Sequence, residues 1–119
     1  MNGLQTMNNN RISIAVGHAM LFPQNFRPDF PEWLQQNAHI YIEFERRALQ
    51  VAQHRQHYSA RTIVEVMRHD SAIGQLTGEF KINGNYVPDM ATLFSQLNPQ
   101  YGDLFEFRRD ARNQERLAA

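Results

Sequence analysis

The 119-residue chain contains no cysteine. Disulfides, thiolate zinc sites, iron–sulfur clusters and cysteine nucleophiles are therefore excluded. Lysine is nearly missing as well. Of twelve basic residues, Lys81 alone is Lys and eleven are Arg. No apolar run approaches the ~18 residues of a membrane span, and no basic segment leading into an apolar one marks a signal peptide. An excess of one charge is also lacking, since twelve Lys+Arg balance twelve Asp+Glu. That argues against an acidic nucleic-acid mimic and against a generally basic DNA coat. A glycine-rich phosphate loop is missing too, because neither Gly74 nor Gly78 is followed by Lys-Ser/Thr or a third Gly.

What is present fits one small domain. Apolar residues make up 42% and charged residues 20%, enough to pack a core and too apolar for a disordered chain. Residues 1–10 are polar, Asn-rich and unpatterned, and are expected to be a flexible tail. Residues 11–107 are expected to form a single compact domain, and 108–119 a polar C-terminal helix or tail.

Along the chain, Ile12, Ile14 and Val16 alternate, which predicts a short strand over about 11–16. Pro23, Pro28 and Pro31 forbid a regular element over 18–31. Phe22, Phe26 and Phe30 among them point to an ordered loop clamped on the core. Apolar residues at Leu34, Ala38, Tyr41, Phe44, Ala48 and Val51 recur at steps of three and four. That spacing predicts a long central helix over about 32–56, with Asp29 as its cap. Ser59 is placed to cap a second helix whose inner face is Ala60, Ile63, Val64 and Met67. Asn83-Gly84 between two short apolar runs predicts a β-hairpin over about 79–87. A third helix follows Pro88, with Met90, Leu93, Phe94 and Leu97 inward, and Asn98-Pro99 stops it. The expected fold class is α+β and mainly helical, with three principal helices, the hairpin and the N-terminal strand.

No constellation carries recognisable catalytic chemistry. His54 and His57 stand three apart on a predicted helix, close enough to share a metal, but no third ligand stands at a familiar spacing. His69-Asp70-Ser71 holds the residue types of a hydrolase triad, yet side chains of successive residues diverge. No metal site and no cofactor are expected. The charge asymmetry lies in residues 46–69, where Arg46, Arg47, Arg55, Arg61 and Arg68 oppose only Glu65, a local balance of +4. Arginine pairs bidentately with carboxylate and phosphate. Together with Lys81 on the hairpin, these residues are the candidate binding residues. The order helix, turn, helix, hairpin is that of a winged helix-turn-helix, in which Arg61, Arg68 and Lys81 would meet DNA.

A set of short spaced motifs adds a resemblance. Trp33-Leu34 opens a helix that carries Phe44-Glu45. Tyr58-Ser59-Ala60-Arg61-Thr62-Ile63 leads into Val66-Met67-Arg68. Phe80-Lys81-Ile82-Asn83, Pro99-Gln100-Tyr101 and Leu104-Phe105-Glu106 follow. Over roughly residues 31–108 this resembles a family of small, mostly uncharacterised phage and prophage accessory proteins. Such relatives commonly carry Arg-Trp after the second helix, where this chain has Arg68-His69. The resemblance implies a phage accessory role and carries no catalytic residues across. The expectation is a non-enzymatic binding protein in the host-cell cytoplasm, one form of which is an anti-defence or host-takeover inhibitor. Its partner is a host or phage protein, with nucleic acid as the alternative partner and winged-helix DNA binding as the alternative function. No membrane partner is expected.

Overall fold

A computed structural model describes residues 3–76 and 80–105. Five α-helices carry the fold: α1 (Gly3–Leu21), α2 (Phe30–Gln36), α3 (Ala38–Ala52), α4 (Ala60–Ala72) and α5 (Val87–Leu97). Short 3-10 turns at Pro23–Asn25, Gly84–Tyr86 and Pro99–Tyr101 join or follow them. The architecture is all-α, which corrects the expected α+β class. Among the described residues no strand forms. The single extended pairing is a parallel bridge between Tyr58 and Phe105, with the Tyr58 N–H donating to the Leu104 carbonyl at 2.8 Å.

Neither expected β element forms among the described residues, for identifiable reasons. Residues 11–16 lie in the middle of α1. Over so short a stretch, alternation at 12, 14 and 16 also places Ile12 and Val16 four apart on one helix side. Ala15 and Ala19 face the core, and Ile14 points to solvent at 50% exposure. The expected tail over 1–10 meets the same helix, which begins at Gly3.

The hairpin fails at its turn. A type I′ turn needs positive φ at both central residues, and Gly74 alone has positive φ among the described residues. Asn83 instead accepts the Asn85 N–H on its own side-chain oxygen at 2.9 Å. Such an Asx turn competes with a hairpin. Here it starts the 3-10 turn that runs directly into α5. Residues 80–83 belong to no helix or strand. Glu79, the expected hairpin start, and residues 106–119 lie outside the described residues.

The long central helix is two helices, and it stops at Ala52. Asn37 breaks it with φ −129°. Its side-chain amide donates to the Trp33 carbonyl at 3.0 Å, competing with the helical ladder. Asp29 does not cap α2 through its side chain. It accepts the Tyr86 hydroxyl at 2.6 Å and so ties α2 to the approach of α5. That hydrogen bond, with some burial, holds the Tyr86 phenol above its ordinary value. Ser59 does cap α4, accepting the Thr62 N–H, and α5 stops at Leu97 before Asn98-Pro99.

The core runs between α3, α4 and α5, where Ile40, Phe44, Val64, Met67, Leu93 and Phe94 are completely or almost completely buried. The Phe/Pro segment closes one side. Phe26 stacks on Phe30, Phe30 on Trp33, and Trp33 on Tyr86 at 4.7 Å between ring centroids. Phe26 and Phe30 are thus clamped on the core, while Phe22 is exposed. No helix among the described residues is long and apolar enough to cross a membrane.

Candidate functional site

The six candidate basic residues do not form one open patch. Arg46 donates to both oxygens of Glu43, at 3.0 and 2.6 Å. Arg47 is half-buried and bridges two helices, donating to Glu43 on α3 at 2.7 Å and to Asp70 on α4 at 2.8 Å. Burial works to raise the Glu43 carboxyl. The hydrogen bonds from Arg46 and Arg47 outweigh it and hold the group below the ordinary Glu value. Arg68 pairs with Glu65 one turn earlier and donates to the Ile82 carbonyl at 2.7 Å. It therefore ties the link over 80–83 to α4 instead of standing free for a phosphate. Arg55 and Arg61 are exposed and have no hydrogen-bond or ion-pair partner among the described residues. Lys81 is exposed on that link. No hairpin forms among the described residues, so the wing expected over 79–87 is not found there.

Half of the +4 balance of residues 46–69 is neutralised from outside that stretch. Glu43 and Asp70 flank it in sequence and fold back onto Arg46 and Arg47. Counting charges within a window missed both.

The outer face of α4 carries a different feature. An open groove of about 450 Å³ is lined by Ser59, Arg61, Thr62, Glu65, Val66 and His69. A second hollow of about 180 Å³ lies between α3 and α4, lined by Arg47, Gln50, Val51, Tyr58, Ile63 and Val66. Val66 borders both. It is 45% exposed and Tyr58 is 37% exposed. Val66 thus stands at the junction of the two grooves, with Tyr58 lining the second and Arg61, unpaired among the described residues, lining the first. The sequence held one signal for this. Val66 is a β-branched apolar residue of α4 that lies off the inner stripe of Ile63, Val64 and Met67.

The groove holds no assembled nucleophile. The Ser59 hydroxyl oxygen is engaged as the α4 cap. The Asp70 carboxylate accepts from Arg47. His57 lies 3.0 Å from the Asp103 carbonyl oxygen through Nδ1. Among the described residues no group of three or more His, Asp or Glu side chains could hold a metal ion.

A second polar cluster is buried. Arg11 and Glu45 pair across α1 and α3, joined by Tyr41 and by Asn98 at the end of α5. Burial, with the Glu45 charge beside it, pushes the Tyr41 phenol well up. Every polar group in the cluster has a partner, which is the pattern of a structural lock. Nothing in local sequence signals it, since its members stand as far as 87 residues apart.

Compared with known protein families, with curated proteins and with solved structures, the chain matches none.

Proposed function

We propose that this chain is a non-enzymatic, phage- or prophage-borne binding protein of the host cytoplasm that acts on a host or phage protein through the α3–α4 face. The observation that carries the reading is the junction at Val66. Exposed Val66 borders both grooves and exposed Tyr58 the second, beside Arg61, which has no ion-pair partner among the described residues. Tyrosine and arginine anchor protein interfaces, and an apolar patch rimmed by polar groups is their usual setting. A protein target is favoured over nucleic acid because Arg46, Arg47 and Arg68 are already paired with carboxylates of the same chain. The phage origin rests on the motif resemblance alone. An anti-defence or host-takeover inhibitor is one form such a protein takes.

Affinity capture from host lysate tests this, with and without nuclease, using the native chain beside Val66→Asp and Arg61→Glu. One stoichiometric protein, retained after nuclease and lost in both variants, is the expected result. Recovery that disappears with nuclease, or that both variants leave intact, would overturn the reading.

A further inference from the structure

The apolar residues of α1 do not share one face. Ala15 and Ala19 are buried against the core. On another flank Met7, Ile14 and Leu21 recur every seven residues, and they are 68%, 50% and 75% exposed. A spacing of seven keeps side chains on one line along a helix. Five of the eight large apolar side chains exposed among the described residues belong to α1 or to Phe22, which directly follows it. A helix that is apolar on more than one side is normally covered on more than one side.

The spaces in this line are filled by small or polar residues. Taking Met7, Ile14 and Leu21 as heptad position a, position d holds Asn10 and Gly17. Glycine in a helix interior costs stability relative to alanine. Nothing among the described residues requires it at 17: its φ is not positive, and a Cβ there would meet none of their atoms within 4 Å. The missing side chain leaves a notch beside Ile14 that opens outward.

Charge selects what fits. Arg11 is the one formally charged residue of α1, and Glu45 neutralises it. The line therefore offers nothing to attract a charged partner, and two copies can meet there without like-charge repulsion. We propose that α1 is a self-association surface, on which a second copy of this chain packs antiparallel. Ile14 of each copy seats in the notch at Gly17 of the other, and Leu21 lies over Asn10. A parallel pair would set Gly17 against Gly17 and leave a void between layers of large residues. The antiparallel pair fills it and opposes the helix dipoles favourably. A helix of 19 residues is about 28 Å long. One such contact falls at the small end of stable interfaces, so the dimer forms with rising concentration.

Sedimentation equilibrium of the full chain reads this directly, with circular dichroism to verify that each variant folds. The native chain should move from monomer to dimer mass as concentration rises, and Ile14→Lys should stay monomeric. Gly17→Ala should raise the melting temperature of the monomer yet weaken the dimer several-fold, a split that a merely structural glycine would not produce. Because the chain has no cysteine, a paired Ile14→Cys and Gly17→Cys variant should oxidise to a covalent dimer faster than either single variant. A native chain that stays monomeric at every concentration would overturn the proposal. So would a dimer indifferent to Ile14→Lys and Gly17→Ala, or single Ile14→Cys as the faster cross-linker.

Discussion

Arg11 on α1 and Glu45 on α3 face each other through two parallel hydrogen bonds, Nε to Oε1 at 2.6 Å and Nη2 to Oε2 at 2.8 Å. The Glu45 side chain is 7% exposed. Tyr41 and Asn98 donate to its second oxygen at 2.9 and 3.2 Å. One carboxylate therefore gathers α1, α3 and the end of α5. Hydrogen bonding to Glu45 outweighs burial and raises the Arg11 guanidinium further above its ordinary value.

Removing one partner strands the others. Glu45→Ala should cost ~3–5 kcal/mol, because it leaves a partly buried guanidinium and a buried phenol unpaired. Replacing both partners, as Arg11→Met with Glu45→Met, should recover most of that loss. Urea unfolding of the native chain, Arg11→Met, Glu45→Met and the double variant closes a cycle that gives the coupling. A loss of ~1 kcal/mol or less in Glu45→Ala would place the pair among solvent-screened surface bridges.

Asp89 has the opposite character. It is buried at the start of α5, and its Oδ2 has no partner among the described residues. Its Oδ1 accepts only a long hydrogen bond from the Arg27 N–H, at 3.3 Å. Burial pushes its carboxyl above the ordinary Asp value, beyond what that hydrogen bond offsets. An acid raised on folding favours the native state below its unfolded pKa, and that stabilisation is lost as pH rises through the folded pKa. Asp89→Asn should thus be more stable than the native chain at neutral pH. Its advantage should shrink as pH falls toward the ordinary Asp range. Urea midpoints of the two proteins across pH measure the difference, and an Asn variant less stable at neutral pH would refute it.

Glu43 should show the reverse sign. Its carboxyl is held down by Arg46 and Arg47 against the effect of burial. Its contribution is present above the ordinary Glu value and lost as pH falls through the folded value. Glu43→Gln should therefore be less stable than the native chain at neutral pH and approach it on acidification. A constant gap between the two proteins across that range would count against this account.

Gly74 closes α4 in the left-handed region, with φ +78°. The Gly74 N–H donates to Ser71 and the Gln75 N–H to Asp70, at 3.2 and 2.8 Å, which is the Schellman pattern. No atom lies within 4 Å of a Cβ built there, so the cost of a side chain is conformational alone. Gly74→Ala should lose about 1 kcal/mol, and Gly74→Asn less, since Asn tolerates this region. Equal stability of Gly74→Ala and the native chain in thermal melts would contradict the assignment.

Phe94 lies at the centre of the core, completely buried, with its ring edge-on to Phe105 at 5.3 Å between centroids. Phe94→Ala should cost ~3–5 kcal/mol in denaturant unfolding. Phe105 lies beyond α5 and is packed on both Phe44 and Phe94. Phe105→Ala should accordingly release the Tyr58 bridge as well, seen as faster amide exchange at Tyr58.

Local chemistry by itself determined the parts of this protein that depend on neighbours in sequence. Ser59 caps α4, Asn98-Pro99 ends α5, and Ile63, Val64 and Met67 turn inward. Each outcome follows from a hydroxyl beside free N–H groups, from a residue that cannot continue a helix, or from a 3.6-residue period. Where one local pattern served two structures, tertiary context decided. Alternation at Ile12, Ile14 and Val16 suits a strand or a helix, and α1 is helical because Ala15 and Ala19 pack on the core and Arg11 reaches Glu45. Asn83-Gly84 suits a hairpin or an Asx-started turn, and burial of Tyr86, Val87 and Met90 draws the chain into α5. The candidate site divides the same way. Its arginines were legible as residues, but their partners Glu43, Asp70 and the Ile82 carbonyl come from other turns and other elements. Which cations stay free, and that Val66 and Tyr58 stand exposed beside one of them, are properties of the packed helices. A charge is neutralised by what lies near it in space, and only the fold sets that neighbourhood.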